Sequence, residues 1–157
     1  MRLKALFSLF LCLGILKCSA QTALDTDGLN NLNNVYLYSL KKYCDSQDPS
    51  TTKIIYVKRE YFISDNWPKE IRNFEIKYLE ENEYKKIIEE NNGNITIVGI
   101  LPLEFRTDDF YVTVIPFSAT FKKKMTFLSN GGGLIVNFQF DAEKKGFTFK
   151  SKKWKGI

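Results

Sequence analysis

The stretch Phe110-Tyr111-Val112-Thr113-Val114-Ile115-Pro116-Phe117-Ser118-Ala119-Thr120-Phe121 decides the class of the fold. It is built almost entirely from β-branched and aromatic residues, which fit a pleated surface. Tyr111, Thr113, Ile115, Phe117 and Ala119 fall on one face at a spacing of two, so it reads as one long strand. The chain on either side has the same character. Upstream, Ile95–Ile100 is a strand, interrupted at Pro102 and resumed over Leu103–Phe105, with Arg106-Thr107-Asp108-Asp109 as a turn. Downstream, Met125–Leu128 continues or restarts the pattern, and Ser129–Gly133 supplies a glycine-rich loop. Leu134, Val136, Phe138 and Phe140 then alternate with Ile135, Asn137, Gln139 and Asp141, Asp141–Gly146 turns, and Phe147–Lys150 is the last strand.

Further towards the N-terminus the period changes. Leu29, Leu32, Tyr36, Leu40 and Tyr43 recur at spacings of three and four, which predicts an amphipathic helix with Asn and Lys on its other face. Asp48-Pro49-Ser50 ends that segment in a turn. Lys53–Phe62 reads as a strand, and Trp67-Pro68 after Ser64-Asp65-Asn66 as one helical turn. Phe74–Tyr78 alternates strictly and is read as a strand, in preference to one helix running from Pro68 to Glu90. Asn82 then caps a short helix that carries Tyr84, Ile87 and Ile88 inward.

The order is helix, strand, strand, helix, then strands to the end. This predicts a single α+β domain over residues 29–157, an antiparallel meander sheet packed on an N-terminal helix and a short second helix. One sheet face would lie on the helices and the other in water.

The 157 residues carry 23 Lys or Arg against 18 Asp or Glu. Residues 1–20 distort that balance. Arg2 and Lys4 precede an apolar run from Ala5 to Leu16, and Cys18-Ser19-Ala20 places small residues before a cut at Ala20/Gln21. This is the pattern of an export signal, and its run is too short for a membrane span. Cleavage leaves a polar leader, Gln21–Gly28, and a chain with no integral membrane segment and a net charge of +2. Soluble export is expected rather than a lipid anchor at Cys18, because Lys17 stands where lipidation requires a small residue. Removal of Cys12 and Cys18 leaves Cys44 alone, so no internal disulfide is expected.

The chain contains no His. That excludes a Ser-His-Asp triad, a Cys-His dyad and His-based zinc sites. Asp108-Asp109 with Glu104 lacks the ligand spacing of a Ca²⁺ loop and reads as a hairpin turn. Gly131-Gly132-Gly133 is followed by a strand and by no Gly-Lys-Ser/Thr, so it is no phosphate cradle. No catalytic residue, metal or cofactor is assigned. Lysines crowd the C-terminal end, with nine Lys and two acids in residues 122–157. Lys122, Lys123 and Lys124 with Lys152, Lys153 and Lys155 would form one basic patch if their strand ends meet, suited to a polyanion. The simpler reading is protection of sheet edges, and nucleic acid is not an expected partner. Nine Phe lie between Phe105 and Phe149. They line either a packed core or an aromatic pocket open at one end.

The Cys18-Ser19-Ala20-Gln21-Thr22 junction resembles those of exported proteins of Bacteroidota. Trp67-Pro68 with Ile71, the Gly131-Gly132-Gly133 turn before Val136-Asn137-Phe138, and the closing Trp154-Lys155-Gly156-Ile157 are similar to small exported α+β proteins of that group whose roles are unassigned. The element order also resembles cystatin-like and NTF2-like sheets. The resemblance implies export to the periplasm, cell surface or medium and transfers no site residue. The function expected is a non-enzymatic domain that binds a protein partner. The alternative is a small-molecule binder or carboxylate-dependent hydrolase with an aromatic-lined pocket.

Overall fold

In the computed structural model the described residues are 31–156. The expected export signal, its junction at Ala20/Gln21, Cys18 and the leader Gln21–Gly28 lie outside them. The first helix, α1 (Val35–Cys44), begins later than the apolar spacing suggests. Asn side chains compete for nearby backbone groups and favour the cap over the helix interior. Accordingly, Asn34 Oδ1 accepts the Leu37 N–H at 3.0 Å, a cap worth about 1 kcal/mol. Lys41 and Lys42 fill the last turn, where the helix dipole favours cations. Ser39, buried on α1, donates its hydroxyl to the Val35 carbonyl at 2.7 Å.

Nine strands follow: β1 (Ile54–Lys58), β2 (Glu70–Ile71), β3 (Phe74–Leu79), β4 (Asn94–Ile100), β5 (Glu104–Arg106), β6 (Asp109–Lys122), β7 (Met125–Asn130), β8 (Gly132–Asp141) and β9 (Gly146–Gly156). The helix α2 (Tyr84–Glu90) lies between β3 and β4. The sheet order is β2-β3-β1-β4-β6-β8-β9, with β5 and β7 also paired to β6.

The long strand read from the sequence is the spine of this sheet. One edge of β6 takes β5 opposite Asp109–Tyr111 and β4 opposite Val114–Thr120. Its other edge takes β8 opposite Phe110–Val114 and β7 opposite Phe117–Lys122. The Leu101 N–H donates to the Thr113 carbonyl at 2.8 Å, so odd-numbered residues of β6 address the β4 edge. Pro116 therefore turns its missing N–H to the opposite edge. There the partner chain breaks, at Gly131 between β7 and β8. The triple glycine is thus not a five-residue loop. Gly132 and Gly133 already belong to β8, and Gly133 runs so close to β6 that a Cβ would lie 2.9 Å from the Val114 carbonyl.

The sheet is mixed, and the expected antiparallel meander is corrected by β1. That strand pairs in parallel with both β3 and β4 and sits between them. Parallel strands need long connections, and the chain supplies residues 59–73 between β1 and β3 and residues 80–93, which contain α2, between β3 and β4. The break between β3 and α2 is present as expected. Asn82, however, lies inside a 3₁₀ turn (Glu81–Glu83), and the Glu80 N–H is capped by Glu83 Oε2 at 2.8 Å. Trp67-Pro68 forms a turn instead of a helical start, closed by Trp67 N–H on the Ser64 carbonyl at 3.0 Å.

The helices lie on opposite faces, so neither face is wholly in water. On one, α1 buries Leu37, Leu40 and Tyr43 against Ile55, Val57, Val98, Ile100, Val112, Val114, Leu134, Val136 and Phe138. On the other, α2 buries Tyr84 and Ile88 against Leu79, Ile95, Ile97 and Ala119. Strand β4 is consequently apolar on both sides, which explains its near-continuous hydrophobic run.

Two predictions follow from this packing. Gly132 has φ +131°, and a Cβ there would run into the Lys155 carbonyl of β9. Gly132→Ala should cost about 1–3 kcal/mol, seen as a lower urea midpoint with Trp154 emission shifted to the red as β9 lifts. An unchanged midpoint would count against this seating of β9. The second concerns Cys44 and Tyr43. Burial first, and for Cys44 the neighbouring Asp45 carboxylate next, push the thiol and the phenol up to about 12. Both groups stay protonated in the fold while the unfolded chain releases their protons from about pH 9 upward. Their contribution is complete below pH 9 and is lost as pH rises towards 12. Urea midpoints should fall between pH 9 and 10, and less steeply in Cys44→Ala.

Candidate functional site

The Phe-rich half of the sequence resolves into a core and a rim. On the face covered by α1, cross-strand register aligns Phe105 with Phe110, Phe110 with Phe138, and Phe138 with Phe149. One rung further, Phe140 pairs with Phe147. Phe138 is fully buried and meets Tyr38 of α1 at 5.9 Å between ring centroids. Beyond it the rings continue past the start of the helix. Phe105 contacts Phe110 at 4.8 Å, Phe110 contacts Phe147 at 5.2 Å, and Phe147 contacts Phe140 at 5.6 Å. Phe105 is 62% exposed and Phe140 49%. The result is a contiguous aromatic strip that begins in the core and ends in solvent. Surfaces of this kind mark interaction sites in proteins that otherwise bury their large apolar groups.

Along the sheet edge the strip passes into β9. Phe149 and Trp154 remain partly exposed beside α1, with Phe149 5.7 Å from Tyr38 and Trp154 6.0 Å from Tyr43. Lys42 Nζ lies 5.0 Å from the ring centres of both Tyr38 and Phe149, a cation over two aromatic faces.

The predicted basic residues occupy two places rather than one. Lys123 and Lys124 are the central residues of the β6–β7 hairpin turn, with φ of 50° and 64°, and Lys122 pairs with Met125 beside them. Lys152, Lys153 and Lys155 belong to β9, opposite Val136, Ile135 and Gly133. From Pro116, which lines a groove with Lys155, six residues of β6 run to Lys122. That separates the two groups by about 20 Å. Within β9, Lys152 shares the α1 face with Trp154, while Lys153 and Lys155 project to the other face. The β9 lysines are a property of one edge; the hairpin lysines are a property of one turn.

The carboxylates singled out from sequence are engaged locally. Thr107 and Asp108 both have positive φ and form the two-residue turn between β5 and β6. Asp109 accepts from Lys150 Nζ at 2.6 and 2.9 Å. Glu104 accepts the Tyr111 hydroxyl at 2.6 Å, and that bond to the protonated phenol raises the Tyr111 pKa. Cys44, the last residue of α1, is buried, and burial pushes its thiol pKa up to about 12, which favours the unreactive protonated form.

The face on which an aromatic pocket was the alternative is filled by α1, with Leu40 and Val57 fully buried at its centre. Shallow grooves of about 310, 340 and 110 Å³ open on the surface, the last at the margin of the α1 face beside Tyr43, Ile55 and Val98. The first is lined by Lys53, Lys69, Glu70, Asn73 and Glu75, the second by Pro116, Gly131 and Trp154 with their neighbours, and the third by Tyr43, Gln47 and Thr52 among others. None places a buried carboxylate at its base. Among the described residues no group of three or more acids or cysteines is arranged to hold a metal ion, and no helix is long and apolar enough to cross a membrane.

The exposed half of the strip was absent from the sequence reading. Alternation gave the face shared by these Phe residues, but it does not say where the covering helix begins. Comparison of the chain with protein-family models, with curated proteins and with solved structures found no match.

Proposed function

We propose that the chain is an exported, non-enzymatic domain that binds a protein partner in the periplasm or at the cell surface through the aromatic strip. One observation carries the reading: the Phe105–Phe110–Phe147–Phe140 chain of ring contacts continues the core into solvent. Aromatic rings lose little conformational freedom when a partner covers them, so such a rim is suited to be the centre of an interface. The small-molecule and hydrolase alternative needs an enclosed space with an acid at its base, and the filling of the α1 face offers it no support.

Two experiments test this. The secreted product should begin at Gln21 and carry no lipid mass, as read by intact mass spectrometry after expression in an export-competent host. A product retaining residues 1–20, or acylated at Cys18, would overturn soluble export. For the interface, Phe105→Ser combined with Phe140→Ser should change stability by less than about 1 kcal/mol, as expected for exposed positions. The same pair should reduce stoichiometric partner recovery from native envelope extract by at least about tenfold, roughly 1.4 kcal/mol. Equal recovery by wild type and variant, or no stoichiometric partner from either soluble or membrane fractions, would overturn the reading.

A further inference from the structure

Strand β9 is the longest unpaired edge of the sheet. It pairs with β8 over Gly146–Gly156 and has no neighbour on its outer side among the described residues. Which backbone groups it offers follows from the ladder alternation. Thr113 addresses β4, so Val114 addresses β8 and its partner Leu134 addresses β6. Gly133 and Ile135 then bond towards β9, through Lys155 and Lys153. This leaves the N–H and C=O of Lys152 and Trp154 directed outward. Beyond them, the bulge between Asn137 and Phe138 leaves Lys150 unpaired in the ladder, and Lys150 bonds to Asp109.

The side chains flanking that edge differ by face. On the α1 side, Trp154 and Phe149 make an apolar shelf with Lys152 between them, the rings 49% and 38% exposed and backed by Tyr43 and Tyr38. On the far side stand Lys153 and Lys155, neither with an ion-pair partner among the described residues, and Gly146–Gly156 contains no acid. Lysines alone would serve to keep other strands away. An exposed Trp and Phe on the same strand do the opposite, because they reward whatever covers them. A strand that alternates apolar and acidic residues satisfies both faces at once: its apolar side chains lie beside Trp154, and its carboxylates lie beside Lys153 and Lys155. A second copy of the chain does not, since β9 against β9 sets lysine beside lysine.

We propose that the outer edge of β9 accepts an extended acidic segment of the partner protein as an added strand. The proposal rests on the partner-binding reading and names the edge and the chemistry of the segment. Main-chain bonds to Lys152 and Trp154 supply affinity, and alternate side chains supply selectivity. Association weakens as salt rises, because the lysine contacts are exposed.

The test uses the secreted chain and the peptide (Glu-Val)4-Glu, with two further versions N-methylated on every Val or on every Glu. N-methylation removes donors from one edge of the peptide and leaves its charge intact. Binding is expected to shift the amide resonances of Lys152 and Trp154. One methylation phase should weaken it by at least about tenfold while the other stays within about twofold. Lys153→Gln with Lys155→Gln should weaken binding and flatten its salt dependence. If both methylated peptides bind as well as the parent, or if vesicles of anionic lipid compete equally with all three, the contact is charge alone and the strand-addition proposal falls. Absence of peptide binding with undiminished capture of an envelope partner also overturns it, and leaves the partner reading standing. Phase-dependent peptide binding without any envelope partner supports the edge and overturns the partner reading instead.

Discussion

Four strands of the sheet, β4, β5, β7 and β8, pair directly with β6, and β9 joins the sheet through β8. Fourteen residues of one strand hold β5 and β4 along one edge and β8 and β7 along the other. That arrangement is possible because both neighbours are broken in the middle. Pro102 and its flanking leucines interrupt one side, between β4 and β5; Gly131 interrupts the other, opposite the missing donor of Pro116. A proline inside a central strand would ordinarily cost a ladder bond. Here the lost donor coincides with a gap in the partner strand, so little pairing is forfeited. The same gap lets Gly132 and Gly133 run close against β6 and β9, which fixes the register that puts Trp154 beside α1 and Lys153 and Lys155 on the far face.

Much of this architecture was legible in the sequence, for reasons that can be stated residue by residue. The helix with Tyr36, Leu40 and Tyr43, the strand at Phe74, the short helix with Tyr84 and Ile88, and the long strand from Phe110 all declare themselves by period, because each has one strongly apolar face. Strand direction does not declare itself. The alternation of Phe74, Ile76 and Tyr78 is the same whether the neighbour runs parallel or antiparallel, and only the length of the connection from β1, residues 59–73, separates the two. The sequence reading placed consecutive strands side by side; the structure inserts β1 between β3 and β4. One available clue was Ile95, Ile97, Val98 and Ile100, apolar on both parities, which marks a strand covered on two faces and argues against a sheet with one face in water.

The surface was less legible than the fold. The nine Phe between Phe105 and Phe149 were countable, and their alternation assigned them to strand faces. Which of them are covered depends on where α1 starts, and Asn31, Asn33 and Asn34 delay that start. The Asn34 cap sets the first turn at Val35, so Tyr38 reaches Phe138 and Phe149, while among the described residues Phe105 and Phe140 make ring contacts only with Phe110 and Phe147. The basic residues show the converse problem. Composition gave their number, yet their division between a hairpin turn and an edge strand depends on a register that no single segment encodes.

The two exposed features, rings and lysines, draw their meaning from being adjacent. An aromatic rim without charge would attract any apolar surface, including a second copy, and an edge of lysines without rings would repel other strands. On β9 the pleat puts Phe149, Lys152 and Trp154 beside α1 and Lys153 and Lys155 behind. An added strand would therefore meet lysines alone on one face, and two rings with Lys152 between them on the other. That placement needs no pocket and no moving part; it follows from the close seating of Gly132 and Gly133 against β9 and β6, which holds β6, β8 and β9 in register.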